Sequence, residues 1–328
     1  MTARRALLSL ALLSTGLASS IPFVAAQAQG TVGADAPRFI PPIACTLGED
    51  CEIQQYVDTD PGEGATDFRC LGRTYDGHKG TDFRVLDMAA VKAGVDVLVP
   101  ADGQVLRARD GVADTGWDGA EGRECGNGLV IDHGGGWETQ LCHLKNGSIS
   151  VPDGGAVQAG DVIGQVGLSG YTQFPHVHIS VRKDGAVVDP FDADGGTCGG
   201  SAPSLWAEPL ADPQGAVLNA GFAPGPVTME GIEAGTVEAL DLETAPALVA
   251  YVRAIGLQGG DVQEFSLTGP DGVLAENVTE PLDRDKAQWM LFIGKRRPAE
   301  GWTEGRYEAH YRVIRDGEVA LEEVFALD

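Results

Sequence analysis

The sequence has few basic residues, few histidines and little uninterrupted apolar sequence. Lys and Arg together number 23 against 48 Asp and Glu, which gives a formal net charge of −25. Binding to the phosphate backbone of nucleic acid needs a basic surface, so we expect no nucleic-acid partner. The acidic excess is typical of a well-solvated protein surface. Hydrophobic residues still make up 43% of the chain, and this content indicates a folded globular protein rather than a disordered one.

The one marked apolar run lies at the N-terminus and is too short to span a membrane. It extends from Ala6 to about Ala18, follows Arg4 and Arg5, and is succeeded by small residues up to Ala28. A spanning helix needs about 20 apolar residues, whereas this three-part pattern is typical of a secretory signal. We therefore predict a signal peptide over residues 1–28 and a soluble mature protein without a transmembrane segment, periplasmic or secreted.

Cysteine is scarce, and no cysteine lies after residue 198. The chain has six cysteines, an even number that predicts disulfide bonds in an exported protein. No CxxC pair is present, which speaks against a cysteine zinc site. Six cysteines allow 15 complete pairings, and we favour a small loop, a bridge across a hairpin and a bridge joining the ends of one domain. The predicted pairs are Cys45–Cys51, Cys125–Cys142 and Cys70–Cys198.

The pattern along the chain predicts a mainly β protein with two domains. From Gly77 onward, short alternating apolar runs are separated by glycine-containing turns, as in antiparallel sheets. Residues 29–70 are rich in Pro, Asp and Gly and are expected to form an irregular N-terminal extension. Residues 71–198 are expected to form an antiparallel-sheet domain, and residues 205–328 an accessory β-sandwich of immunoglobulin-like type.

Two of the six histidines share a predicted strand, FPHVHISV. Side chains two residues apart in a strand project to the same face, so His176 and His178 lie together while Val177 and Ile179 face the core. This arrangement suits a pair of metal ligands, or one ligand beside a catalytic base. Two exposed histidines on a solvated strand would show the same pattern.

His143 ends another predicted strand, WETQLCHL. Alternation would place it on one face with Leu141 and Thr139, and Cys142 on the other. A bridge from Cys142 to Cys125 would fix the backbone beside His143 and hold its imidazole in place, as a catalytic side chain requires.

The stretch YDGHKGTDFRV places His78 four residues before Asp82, a spacing that a surface turn would also explain. Together with His143, His176 and His178, these residues give one domain a carboxylate and four imidazoles. Hydrolytic zinc sites take three protein ligands and leave the fourth position to water, whose pKa falls to about 7. Two histidines then remain to deprotonate the water or to stabilise an oxyanion.

These motifs resemble those of the lysostaphin-type (LytM-like) zinc metallopeptidases, which cut peptide bonds in bacterial peptidoglycan. The HxxxD of that family matches the stretch from His78 to Asp82, and its HxH matches HVH. Between them, VIDHGGGWETQLCHL follows the hairpin of the family closely, and the resemblance covers roughly residues 70–192. One departure is Cys142, where the family often has an aromatic or small residue.

The resemblance implies a role for each of five residues. His78, Asp82 and His178 would bind zinc, while His143 and His176 would act as a catalytic pair on the water and the tetrahedral intermediate. The expected function is that of a zinc metalloendopeptidase acting on peptidoglycan peptides.

Two other functions compete with this one. A non-catalytic scaffold that binds the cell wall or regulates another hydrolase would not need the metal. A metallo-β-lactamase or amidohydrolase type would need further ligands soon after HxH, where the chain offers only Ser180, Arg182 and Lys183 before Asp184.

His133 and His310 are expected to be structural or surface residues. The resemblance ends near residue 190, so it identifies neither a ligand nor a protein partner for the C-terminal domain.

Overall fold

Strands dominate the described part of the chain, as the alternating apolar runs predict. The computed structural model describes residues 36–117, 120–194, 198–199, 203–211 and 213–328, all within one compact unit. The predicted signal peptide at residues 1–28 lies outside them. Both helices among the described residues are short, and neither is long and apolar enough to cross a bilayer.

The first part of the described chain is organised around an eight-stranded antiparallel sheet. In chain order its elements are β1 (Cys51–Gln55), β2 (Thr81–Val85), α1 (Met88–Ala93), β3 (Asp96–Leu98), β4 (Gly103–Arg109), β5 (Asn127–Gly134), β6 (Trp137–Leu144), β7 (Ala156–Val157), β8 (Val162–Gln165), β9 (His176–Lys183) and β10 (Ala186–Val188). The strand order is β1, β2, β9, β6, β5, β4, β7, with β10 paired to β9, while β3 and β8 form a separate two-stranded sheet.

One face of the large sheet packs on a hydrophobic core and the other faces a cleft. On β9, Val177, Ile179 and Val181 are fully buried in this core. Because side chains alternate along a strand, His176 and His178 project to the opposite face. The predicted division of this strand into an apolar and a histidine face is confirmed.

The expectation that residues 29–70 form an irregular exposed extension is wrong for part of this segment. Phe39 and Ile43 are buried in the same core, and β1 forms the edge of the large sheet by pairing with β2. A five-residue strand has too weak a pattern to be recognised when its partner strand lies some 30 residues further along the chain. The boundaries at residues 71 and 198 stay predictions.

Three disulfides occur among the described residues, and they are the three predicted pairs. Their Cα–Cα distances are 6.1 Å, 5.0 Å and 4.8 Å for Cys45–Cys51, Cys70–Cys198 and Cys125–Cys142 respectively. The second bridge joins residues 128 positions apart and so ties together the two ends of the region that resembles the peptidases.

The C-terminal part consists of two further antiparallel sheets. Its elements are β11 (Ala216–Ala223), α2 (Met229–Glu233), β12 (Ala247–Leu257), β13 (Val262–Gly269), β14 (Gly272–Val278), β15 (Lys286–Arg296), β16 (Tyr307–Arg315) and β17 (Glu318–Leu327). One sheet has the order β11, β12, β15 and the other β14, β13, β16, β17. A single buried core contains Leu248 and Val252 from the first sheet with Leu267 and Tyr311 from the second. The prediction of a mainly β, antiparallel protein is confirmed.

Candidate active site

Three of the predicted site residues meet where β2 pairs with β9. Asp82 lies opposite His178 in this ladder, and its Oδ1 is 2.8 Å from His178 Nδ1. The Nε2 of His78 lies 3.2 Å from each of these two atoms. One ligand atom from each of the three side chains therefore falls within 4.8 Å of the others. The residues predicted as zinc ligands form a candidate metal site.

Hydrogen bonds orient the two imidazoles of this site. The Nδ1 of His78 donates to the backbone carbonyl of Tyr56 at 2.6 Å, which leaves a lone pair on Nε2. The Nε2 of His178 lies 2.9 Å from the Ser180 hydroxyl, so its Nδ1 is the atom directed at Asp82. Two imidazole nitrogens and a carboxylate oxygen, fixed by outer hydrogen bonds, are a donor set that fits a zinc ion.

Electrostatics keep the Asp82 carboxylate ionised. Burial alone would raise its pKa, but the imidazoles of His78 and His176 and the hydrogen bonds from His176 and His178 hold it well below the ordinary range. In His78, burial lowers the pKa, yet the nearby Asp82 outweighs this effect and raises it. Burial is also the main reason that the pKa of His178 is lowered. The site thus holds one firmly anionic oxygen for a cation.

His143 reaches the cleft through a β-bulge that the sequence did not reveal. Between β5 and β6 the register shifts, so that Cys142 and His143 together oppose Gly128, and His143 has a φ of 66°. Bulges of this kind re-aim a side chain. The expected alternation is therefore wrong: Leu141 is fully buried in the core, whereas His143 lines the cleft.

Glycine is required opposite this bulge. A Cβ on Gly128 would come within 2.2 Å of the Leu141 carbonyl oxygen. The His143 amide donates to the Cys125 carbonyl at 2.9 Å, next to the Cys125–Cys142 disulfide, and its Nδ1 donates to the Ser169 carbonyl at 2.8 Å. The expectation that this bridge supports the backbone at His143 is consistent with these contacts.

His143 and His176 lie side by side, with ring centroids 4.7 Å apart. The Nδ1 of His176 donates to the Phe174 carbonyl at 2.9 Å, and its Nε2 is 3.3 Å from Asp82 Oδ1. Burial, and then the neighbouring imidazoles of His176 and His178, keep the pKa of His143 well below its ordinary value. An unprotonated Nε2 of His143 is therefore available at neutral pH.

Four of the five predicted residues line one cleft of about 400 Å³, and His78 contacts two of them directly. Aromatic side chains surround the opening; those of Tyr75 and Tyr171 are 51% and 57% exposed. Such exposure of large aromatic rings next to histidine motifs is typical of a binding surface. The other lining residues are Gln54, Gln55, Trp117, Thr172, Gln173, Phe174, Ala287 and Gln288.

These additional cleft residues belong to none of the sequence motifs. Tyr75 and Tyr171 lie within a few residues of His78 and His176, and that proximity was a usable signal. Gln54 and Gln288 come from segments far from every motif, so no sequence signal marks them as cleft residues. The two remaining histidines of the described chain lie elsewhere: His133 contacts the Asp102 carbonyl and Thr139, and His310 contacts Glu322 at the surface.

Comparisons with known proteins match the part of the chain that carries these residues. Residues 76–190 match the family described as Peptidase family M23. The chain is 34% identical over 106 residues to the "DD-carboxypeptidase/endopeptidase Mpg" of Neisseria meningitidis serogroup B, covering 32% of this chain and 23% of that protein. An "Uncharacterized metalloprotease" of Buchnera aphidicola subsp. Baizongia pistaciae is 31% identical over 113 residues, with coverages of 34% and 25%.

The chain thus spans about a quarter of the length of the curated relatives it matches. Among solved structures, the catalytic domain of the antimicrobial peptidase lysostaphin from Staphylococcus simulans is 22% identical. The match covers 42% of this chain and 85% of that chain, with a TM-score of 0.28.

Proposed function

The chain carries a peptidase domain of family M23 at residues 76–190, and from this premise we propose that it is a zinc-dependent endopeptidase that hydrolyses peptide bonds in peptidoglycan cross-links. The observation that carries the proposal is the convergence of His78, Asp82 and His178 with His143 and His176 at one cleft. The Neisseria relative is named a DD-carboxypeptidase/endopeptidase, which supports the same class of reaction.

Zinc would be held by His78 Nε2, Asp82 Oδ1 and His178 Nδ1. When bound, it supplies a Lewis acid that polarises the scissile carbonyl and makes water a stronger nucleophile. The protein's part is to keep the three donor atoms together: the Tyr56 carbonyl and the Ser180 hydroxyl fix the two imidazoles, and the β2–β9 ladder fixes the carboxylate.

We assign the proton transfers to His143 and the stabilisation of the oxyanion to His176. His143 is neutral because its pKa is depressed, and its Nδ1 is committed to the Ser169 carbonyl, so its Nε2 can accept a proton from water and pass it to the departing amine. His176 is oriented by the Phe174 carbonyl. With a proton on Nε2, it would donate a hydrogen bond to the oxyanion of the tetrahedral intermediate.

We further propose that the mature protein acts in the periplasm or outside the cell. Three disulfides are typical of proteins in an oxidising compartment, and the lysostaphin-type peptidases that the chain resembles act on the cell wall. The signal peptide proposed for residues 1–28 would direct the export.

The C-terminal sheets, β11 to β17, are inferred to form an immunoglobulin-like accessory domain within the predicted residues 205–328. The predicted start at residue 205 is wrong, because Leu205 and Trp206 are buried in the core of the large sheet. They provide seven strands around one core, as in the constant-type fold. That fold pairs its first, second, fourth and fifth strands in one sheet. Here the fourth strand, β14, pairs with β13 of the opposite sheet instead, which makes this a variant of the arrangement.

The function is tested by product analysis. The purified protein is incubated with defined cross-linked peptidoglycan fragments, with and without a chelator and with zinc restored. We expect new amino and carboxyl termini at one type of cross-link, loss of the products with chelator and their return with zinc. Intact fragments after incubation with zinc-loaded protein would refute the peptidase function and favour the non-catalytic scaffold.

A further inference from the structure

The C-terminal sheets supply part of the wall of the catalytic cleft. Ala287 and Gln288, the second and third residues of β15, line the same cleft as the four metal-site and catalytic side chains. Gln54 and Gln55 of β1 also line it. The cleft is therefore bounded by the peptidase sheet and by a strand that lies more than 90 residues beyond the end of the peptidase match.

A hydrogen-bonded relay fixes this wall to the peptidase sheet. The Nε2 of Gln54 donates to the Ala287 carbonyl at 2.9 Å, and its Oε1 accepts from Arg84 at 2.7 Å. Gln54 is 4% exposed and Arg84 is fully buried. Because buried hydrogen bonds between fully satisfied groups are rigid, the start of β15 is held in one position relative to β1 and β2.

A second anchor joins the C-terminal part to β2. The carboxylate of Glu233, at the end of α2, accepts hydrogen bonds from Arg84 at 3.1 and 3.2 Å and contacts the buried Arg253 of β12. Arg84 is the register partner of His176, and its guanidinium lies 4.9 Å from the ring centroid of Phe174. The C-terminal sheets are thereby tied to β2, the strand that carries Asp82.

Gln288 has hydrogen-bonding capacity that the described residues do not use. Its Oε1 is buried with no hydrogen-bond donor among them. A buried carbonyl oxygen left without a donor is unfavourable, and a rotation of the side chain that turns its amide into the cleft, where a ligand can supply a donor, would remove that cost. Side-chain amides offer both donors and acceptors, which is the pattern that the N–H and C=O groups of a peptide main chain require.

We propose that Gln288 is a substrate-binding residue contributed by the C-terminal sheets, and that its amide binds the main chain of the peptide held at the metal site. This inference rests on the proposed peptidase function. In this role the C-terminal sheets form a fixed part of the catalytic cleft, in addition to any binding role they have elsewhere. Glutamine at this position would contribute to the affinity for the peptide rather than to the chemical step.

The test compares four full-length proteins: wild type, Gln288→Ala, Gln288→Met and, as a matched control, Gln158→Ala at an exposed glutamine outside the cleft. The probe is a purified dimer of cross-linked stem peptides. Zinc content, kcat and KM are measured with zinc-loaded protein, and the Kd for the same peptide with metal-depleted protein, which does not consume it. Gln288→Met keeps the length of the side chain and removes only the amide.

We expect both Gln288 variants to raise KM and Kd by about three- to tenfold, the scale of one hydrogen bond. Their zinc content and kcat should match wild type, and the control should be unchanged. Unaltered KM and Kd in both variants, with an active wild type, would overturn this inference alone, as would a fall in zinc content or kcat that accounts for the loss. A wild type that neither cleaves nor binds the peptide would overturn the peptidase function and this inference together.

Discussion

Asp82 and His178 face each other on neighbouring antiparallel strands, with Asp82 Oδ1 2.8 Å from His178 Nδ1, although 96 residues separate them in the sequence. The pair forms only when β2 and β9 align in this register, and a shift of one residue would turn one of the side chains toward the core. The metal site is therefore a product of the sheet, and we expect metal binding to stabilise it.

Loss of any one of the three donors should remove zinc and activity together. In His78→Ala, Asp82→Ala and His178→Ala only two protein ligands remain, fewer than catalytic zinc sites use. The measurements are zinc per molecule by mass spectrometry and the rate of peptide hydrolysis. His310→Ala, at an exposed histidine in β16, is the control and should behave as wild type. A variant with full zinc occupancy but no activity would contradict the ligand assignment of that residue.

Substitution of the catalytic histidines should lower the rate of hydrolysis without removing the zinc. We expect His143→Ala and His176→Ala to retain zinc and to slow hydrolysis by ~100-fold or more, the usual scale for loss of acid–base or oxyanion assistance. Both rates and zinc contents are compared with the His310→Ala control. Near-normal turnover in either variant would remove that residue from the mechanism.

The sequence motifs alone predict the histidine pair and the HxxxD, because each lies within one strand or turn. Alternation placed His176 and His178 on one face, and the structure agrees. The same rule failed at His143. A bulge depends on the partner strand, here on Gly128 of β5, and the periodicity of β6 alone contains no trace of it.

The wall formed by Gln54 and Gln288 could not be predicted for a different reason. Neither residue belongs to a motif, and their proximity follows from how the C-terminal sheets dock on β1. The anchor at Glu233 likewise joins α2 to Arg84, 149 residues earlier. Pairings of this kind depend on tertiary packing, whereas sequence patterns report only the local structure of each strand.

Asp189 gives the protein a pH-dependent stability that is separate from the cleft. The side chain is 5% exposed, and its Oδ2 has no hydrogen-bond partner among the described residues. Burial, assisted by the nearby carboxylates of Asp192 and Asp67, raises the pKa of Asp189 from its ordinary value of 3.8 to about 7, although the Phe191 amide donates to its Oδ1. The folded protein therefore holds a proton that the unfolded chain loses near pH 4.

Between about pH 4 and pH 7, folding thus takes up a proton at Asp189, so the free energy of unfolding should fall as the pH rises and level off above pH 7. A tenfold change in a protonation equilibrium is worth about 1.4 kcal/mol, so the rise from 3.8 to about 7 corresponds to a loss of up to about 4 kcal/mol. Asp189→Asn cannot ionise and keeps an oxygen to accept from Phe191. We expect the free energy of unfolding of the variant to lose this dependence on pH. At pH 8 the variant should be more stable than wild type.

Urea unfolding of the two proteins at pH 5 and pH 8 measures the difference, since it gives the free energy of unfolding directly. The matched control is Asp316→Asn, at an exposed turn whose positive φ of 53° asparagine tolerates well. It should leave the pH dependence of wild type unchanged, because its carboxylate is solvated in both states. Equal slopes in Asp189→Asn and wild type would show that the buried carboxyl carries its charge at neutral pH, with a compensating partner near Oδ2.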